Sequence, residues 1–215
     1  MPQNALYEGL TAHFSAGQIQ QLASVRVGIA GAGGLGSNVA AHLVRSGIRR
    51  LVIADFDRVA PSNLNRQFYF ADQVGMKKID ALEVNLRRID PDLELETLDL
   101  RLTAENTGRL FATCEIVVEA LDRAQDKKMM AECFLAAPCV LVCASGIGGW
   151  GDSDRIRTRK LGRRCVLVGD GSSEISAAIP PTAAIVGLAA AKQADAVVET
   201  ILSGGFAGPK IQGVE

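Results

Sequence analysis

At 215 residues the chain suffices for one domain of ordinary size and falls short of two. Twenty-three Lys and Arg against 24 Asp and Glu leave a formal charge of −1, which excludes the cationic excess of a sequence-independent nucleic-acid binder; 48% apolar and 22% charged residues exclude disorder. The 22 glycines are the outlying number, about a tenth of the chain against a usual share of about 7%, and point to tight turns or close approaches of backbone to a ligand.

In chain order, residues 1–24 hold no Lys or Arg and no continuous apolar block, so they lack the parts of a signal peptide and read as a helical segment. Val25 to Ala30 is a short β-branched run, followed by a helical pattern from Ser37 to Arg45 and a second strand from Arg50 to Ala54. A polar stretch from Asp57 to Asp72 precedes a helix over Lys77 to Arg88, with Ile79, Leu82, Leu86 and Ile89 at spacings of three and four, closed by Pro91. Leu93 to Leu98 alternates apolar with acidic residues and predicts a strand with one wet face near a sheet edge. Thr103 to Phe111 predicts a short helix, Glu115 to Glu119 a buried strand, Gln125 to Ala136 a helix and Cys139 to Cys143 another buried strand. Beyond a glycine cluster at 146, 148, 149 and 151, Arg155 to Arg159 and Cys165 to Val168 read as a hairpin. Gly169 to Pro181 reads as a loop and Thr182 to Leu202 as a long, Ala-rich buried helix.

Strands alternating with helices predict a Rossmann-like α/β domain: a mainly parallel sheet flanked by helices and extended by the antiparallel hairpin. The whole of 1–215 is read as one domain, with a helical segment (1–24), βα units (25–144) and a hairpin, crossover loop and last helix (145–205). The five cysteines are odd in number and form no C-x-x-C pair, so neither a disulfide framework nor a structural zinc site is expected. The uncharged stretch from Ile175 to Ala191 is short and broken by Pro180 and Pro181, so no membrane span is expected. Together these features predict a soluble, cytoplasmic protein.

Gly31-Ala32-Gly33-Gly34-Leu35-Gly36 follows a predicted strand and opens a predicted helix. Glycines 31, 33 and 36 would permit a tight turn, backbone approach to phosphate and close helix-to-strand packing, with the helix N-terminus facing the anion. Asp55 ends the second strand about 20 residues further on, where an acid accepts hydrogen bonds from a ribose. To this point NAD and ATP fit equally well.

Asp55-Phe56-Asp57, then Ser62-Asn63-Leu64-Asn65-Arg66-Gln67, then Gly75-Met76-Lys77-Lys78, and Asp122 beyond the fourth strand complete a distinctive set. Over roughly residues 20 to 205 the chain resembles the ubiquitin-activating-like adenylyltransferases, the ThiF, MoeB and HesA family, and within it the compact ThiF group. The resemblance implies adenylation of the C-terminal glycine of a ubiquitin-like sulfur-carrier protein ending in Gly-Gly, with release of pyrophosphate, in thiazole synthesis for thiamine. It implies ATP and Mg²⁺ as cofactors and a homodimer, with no nucleic-acid or membrane partner. Gly31, Gly33, Gly34, Gly36, Asp55, Asp57, Asn63 and Gln67 would bind nucleotide, Asn63 and Gln67 by positioning phosphate or closing the loop, together with Arg66 and Lys78, which would also stabilise the transition state. Asp122 would hold magnesium, a role compatible with capping the next helix. Lys77 competes with Lys78 on spacing, and Asp57 is read as sharing a strand face with Asp55, where it could bind water or metal.

The chemistry agrees with the cations. Bringing a carboxylate onto an α-phosphorus and releasing pyrophosphate needs a bidentate Arg fork and a compact Lys charge, but no general base. His13 and His42 are accordingly read as solvated or packed. The chain departs from the family pattern in three ways: it has no N-terminal arginine to reach a partner's site, no zinc-holding cysteine pairs, and no thiol between Gly169 and Pro181. Cys165 reads as a small buried residue, so adenylation without a covalent thioester is expected. Arg155, Arg157, Arg159, Lys160, Arg163 and Arg164 form a cationic cluster, with 155, 157 and 159 on one strand face. It is either a solvated hairpin or a stripe for an acidic partner surface beside a floor at Gly146 to Gly151. The alternatives kept are a molybdopterin-synthase carrier or another carboxylate such as a tRNA-linked one, a nicotinamide-dependent oxidoreductase, and a nucleotide-binding scaffold.

Overall fold

A computed structural model describes residues 4–204; residues 1–3 of the expected N-terminal helical segment and everything from residue 205 lie outside them. Two capped helices come first, α1 (Ala5–Thr11) and α2 (Ala16–Ser24). The Asn4 side chain accepts the Tyr7 N–H, and Ser15 with Gln18 forms a reciprocal capping box. The chain then runs through β1 (Arg26–Ala30), α3 (Gly34–Arg45), β2 (Arg50–Ala54), α4 (Lys78–Arg87), β3 (Glu94–Leu98), α5 (Thr107–Leu110) and β4 (Ile116–Glu119). It continues through α6 (Ala124–Phe134), β5 (Val140–Ala144), β6 (Arg157–Leu161), β7 (Cys165–Gly169) and α7 (Ala183–Leu202).

The strands form one sheet in the order β3-β2-β1-β4-β5-β7-β6, every pair parallel except β6 with β7. From β1 the chain builds outward through β2 and β3, then returns to place β4 on the other side of β1. The crevice beyond the carboxyl ends of β1 and β4 is therefore the topological switch point, where open α/β sheets bind ligands.

Both faces of the sheet are buried at its central strands, and side-chain alternation sorts them into two cores. Val27, Leu51, Ile53, Ile116, Val118 and Val142 pack toward α3 and α7. Val52, Val117 and Leu141 pack with Phe111, Met130 and Phe134 on the opposite face. Gly28 lacks a side chain because the Phe111 ring occupies its place: an added Cβ would lie 2.5 Å from Phe111 Cδ1. The expected wet strand is β3, at one edge, with Glu94 and Glu96 paired to Arg50 and Arg26. No helix among the described residues is long and apolar enough to cross a membrane.

The mainly parallel Rossmann-like sheet with its antiparallel hairpin agrees with expectation, and three local readings need correction. Helix α3 begins at Gly34, inside the glycine motif, because the motif supplies its first turn. Of Thr103 to Phe111 only Thr107–Leu110 is helical; the Asn106 side chain instead closes a turn by accepting the Thr103 N–H and donating to Arg101 O. Arg155 lies in a 3₁₀ turn ahead of β6, so it does not share a strand face with Arg157 and Arg159.

Candidate active site

The glycine loop connects β1 to α3. Gly31 takes φ +98°, and a Cβ there would meet Ala120 O at 2.9 Å, so only glycine fits between β1 and β4. At Gly36 an added Cβ would lie 1.8 Å from Gly31 O, which places this glycine behind the loop as a packing residue rather than at the cleft. Around Gly33 the nearest heavy atom to an added Cβ is Gln67 Nε2, 3.9 Å away; this is the open approach that a phosphate needs.

Neighbouring side chains fasten the loop. The Tyr69 hydroxyl donates to Ala32 O at 2.7 Å, and burial pushes its ionisation far above the usual tyrosine range, with Asp55 and Asp57 adding to the effect. Ser37 Oγ donates to Gly33 O and accepts the Phe68 N–H, while Asn38 Nδ2 bridges Gly34 O and Arg66 O. The segment carrying Arg66 is thereby tied to the first turn of α3. Asp55 Oδ2 accepts the Ala32 N–H at 2.6 Å and Oδ1 accepts the Asp57 N–H at 2.8 Å. Each carboxylate oxygen keeps a second lone pair for a ribose hydroxyl.

The Lys78 side chain is only 7% exposed, and its Nζ lies 2.8 Å from Asp57 Oδ2. Lys77, the competitor, is more exposed and pairs with Asp99. Asp57 lies past the end of β2, so it shares no strand face with Asp55; its visible role is to hold Lys78. Arg66 Nη1 donates to Ser62 O and Asn65 Oδ1, and Asn65 Nδ2 reaches Pro181 O at 3.3 Å, which links this segment to the crossover loop. Gln67 Oε1 is buried with no partner among the described residues, an acceptor awaiting a donor in the cleft. Of its two expected roles Asn63 takes the second: its Oδ1 accepts the Ala60 N–H to close a 3₁₀ turn, and it does not line the cleft.

Across the cleft, Asp122 is exposed between β4 and α6. It makes no cap: Arg123 is the N-cap residue of α6 and no side-chain bond caps it. No group of three His, Cys, Asp or Glu suited to a metal occurs among the described residues. Sequence reasoning missed Glu119 and Lys127, a pair 2.8 Å apart beneath this wall. Their only signal was an acid ending an apolar strand run.

The far wall is the crossover loop. Arg155 bonds Asp170, Gly148 O and Ser173 Oγ. Burial disfavours the Asp170 carboxylate, but the N–H groups of Ser173 and Ser172, the Ser173 hydroxyl and Arg155 outweigh it and hold the carboxyl well below its usual range. Asp170→Asn is therefore expected to lower Tm by about 2–4 °C at pH 7. Because the folded carboxyl is depressed, the stability it contributes is full above the unfolded value near 4 and fades as pH falls below it. Melts of both proteins from pH 7 to pH 3 should show the difference shrinking; a constant difference would exclude the ion pair as its source.

Together these groups enclose a cleft of about 730 Å³. All expected site residues line it except Gly36 and Asn63. Neither His13 nor His42 does, so the cleft offers no histidine for hydride chemistry. Cys165 is buried in β7, and that burial raises its thiol, as expected of a packing residue.

Comparison with known proteins places this geometry. Ubiquitin-like modifier-activating enzyme 5 of Branchiostoma floridae is 40% identical over 92 residues, covering 43% of this chain and 23% of that protein. Its Arabidopsis thaliana counterpart is 43% identical over 94 residues, 44% of this chain and 22% of the relative. The matched stretch is thus under a quarter of either relative's length. Among solved structures, E. coli tRNA N6-threonylcarbamoyladenosine dehydratase, TcdA, in complex with ATP superposes with a TM-score of 0.82 at 19% identity, covering 92% of this chain and 94% of TcdA. E. coli MccB with AMPCPP and MccA gives 0.65 at 20% identity, covering 86% and 57%. At these identities the structural likeness is one of fold. The sequence pattern of the ThiF family matches residues 7–208, and with the glycine loop, Asp55, Arg66 and Lys78 gathered on one cleft, the chain belongs to the ThiF family.

Proposed function

We propose that the chain is an ATP-dependent adenylyltransferase acting on the C-terminal carboxylate of a small ubiquitin-like sulfur-carrier protein ending in Gly-Gly, of the kind that serves thiazole synthesis for thiamine. The observation that carries this reading is the pairing of an open phosphate loop at Gly33 with two cations, Arg66 and Lys78, on the same cleft.

A carboxylate oxygen of the carrier attacks the α-phosphorus of ATP, the bond to the bridging oxygen breaks, and pyrophosphate leaves with the electron pair. The products are an acyl-adenylate and pyrophosphate, with no net proton transfer. Arg66 offers a planar fork to the phosphate oxygens and Lys78 a compact charge to the departing group. Asp55 holds the ribose and Gln67 Oε1 accepts from the nucleotide or an ordered water. A lone carboxylate at Asp122 suits Mg²⁺, which binds through one or two carboxylates plus substrate phosphates and, when bound, neutralises the phosphate charge. The activity is assigned to a cytoplasmic homodimer, following the family pattern. Arg26 does not serve as a cross-subunit finger, since it bonds Glu96 and its backbone N–H bonds Glu115.

ATP–pyrophosphate exchange with the full chain and a Gly-Gly carrier tests the reading: exchange that depends on the carrier supports it, and none with thiamine-type, molybdopterin-type or other carriers overturns it. The carrier surface is assigned to the exposed edge strand β6, where Arg157 and Arg159 share one face beside the crossover loop. Arg157→Glu with Arg159→Glu is expected to raise the carrier KM about tenfold by opposing an acidic surface, with the KM for ATP unchanged. An unchanged carrier KM would place the dock elsewhere.

A further inference from the structure

One ion pair, its carboxylate fully buried and its ammonium at the cleft wall, has no part in the reaction just described. The Glu119 side chain, at the end of β4, is 1% exposed, and Lys127 Nζ lies 2.8 and 3.1 Å from its two oxygens. The same ammonium donates to Ala144 O at 2.9 Å, at the end of β5. Glu119 Oε1 also accepts the Leu121 N–H at 2.7 Å, and Oε2 lies 3.5 Å from the Ala144 N–H. Behind the pair, Gln193 of α7 donates to Glu119 O at 3.0 Å. Burial pushes the Glu119 carboxyl upward, and Lys127 with the two backbone N–H groups acts against that.

Donor accounting separates Lys127 from Lys78. An ammonium has three N–H groups, and Lys127 directs its own at the Glu119 carboxylate, near both oxygens, and at Ala144 O. Lys78 spends one, on Asp57. Although Lys127 lines the cleft, its ammonium is engaged on the side of Glu119 and Ala144, bonding a carboxylate and a backbone carbonyl. What the pair does hold is backbone: the departure of the loop that carries Asp122 and the departure of the loop that opens with Ser145 and Gly146.

We infer that Glu119 and Lys127 are positioning residues, a strut that locks the carboxyl ends of β4 and β5 so that Asp122 and the Ser145-Gly146 turn are held at fixed places on the cleft. The catalytic part of this inference rests on the proposed adenylation. A strut acts on the placement of groups in the transition state, so its loss lowers kcat more than it weakens substrate binding.

The test uses the full chain and the variants Lys127→Met, Glu119→Gln and Lys127→Arg. Lys127→Met and Glu119→Gln are expected to lower the kcat of ATP–pyrophosphate exchange at least tenfold with the KM for ATP within threefold of wild type. Lys127→Arg, which keeps the charge and the donors, is expected to recover kcat to within threefold. Amide hydrogen exchange of the ligand-free proteins gives a readout independent of turnover: Leu121 and Ala144 should exchange at least tenfold faster in Lys127→Met and return toward wild type in Lys127→Arg. Wild-type protection at those amides in folded Lys127→Met overturns the strut. A raised KM for ATP at unchanged kcat overturns it as well, by making Lys127 a nucleotide ligand. Absence of pyrophosphate exchange from the wild-type chain counts against adenylation alone, because the amide pattern still decides on the strut.

Discussion

Lys78→Met is expected to lower ATP–pyrophosphate exchange by about 10²–10³-fold while the chain stays folded and still binds nucleotide. The magnitude follows from where the charge sits. The Lys78 side chain is 7% exposed, so its ammonium is largely dehydrated, and a charge in that setting interacts with an anion far more strongly than one in water. Asp57 takes one donor, leaving the others for a pyrophosphate on which negative charge grows as the bond to the α-phosphorus breaks. Methionine keeps the stem packed and removes only the charge. Arginine should not restore activity, because a buried site shaped for a compact head does not admit a planar fork. Lys77, exposed and paired with Asp99, is the control: Lys77→Ala should leave exchange intact. If Lys78→Met retained exchange within threefold, the leaving group would be stabilised by other cations and the assignment would fall.

The match between sequence and structure is best where the physics is local. Strands of a parallel sheet covered on both faces must be apolar runs, and the runs at Val27, Leu51, Ile116 and Leu141 lie within β1, β2, β4 and β5. The edge strand β3 was legible from its acids for the same reason. Arg155 was misread because the force that places it is distant: in isolation it alternates with Arg157 and Arg159, but Asp170, Gly148 and Ser173 draw it out of the strand into the crossover loop. Asn63 left two roles open at short range, since a residue suited to phosphate is equally suited to closing a turn, and here the Ala60 N–H takes its oxygen.

The cleft itself was legible because its chemistry is written in rare combinations. Gly31, Gly33, Gly34, Asp55, Arg66, Gln67, Lys78 and Asp122 come from separate segments and line one cavity. Glu119 and Lys127 escaped because nothing in their types or spacing distinguishes them from a helix-face charge and a strand-end acid. The register of β4 against β5 brings Glu119 beside Ala144, and helix α6 carries Lys127 to both.

The sharpest division within the glycine motif is between Gly33 and Gly36, and alanine at each should fail in opposite ways. At Gly36 the new Cβ would lie 1.8 Å from Gly31 O, a backbone atom that cannot swing aside like a side chain. Relief requires moving α3 away from the turn that joins it to β1, so Gly36→Ala is expected to cost about 3 kcal/mol or more. For a domain of this size that corresponds to a fall in Tm of about 6–12 °C. At Gly33 the backbone is extended, with φ −81°, and a Cβ would meet nothing closer than Gln67 Nε2 at 3.9 Å. Gly33→Ala should therefore melt within about 2 °C of wild type. Its methyl would instead occupy the space over the N-terminus of α3 where a phosphate must come close to backbone N–H groups, so nucleotide affinity should fall at least about tenfold. Melts with and without MgATP separate the two: wild type and Gly36→Ala should both be stabilised by nucleotide from their different starting points, and Gly33→Ala should lose most of that gain. A Gly33→Ala protein with a full nucleotide shift would show that the phosphates do not cross this residue, and the placement of the triphosphate on the glycine loop would have to be abandoned.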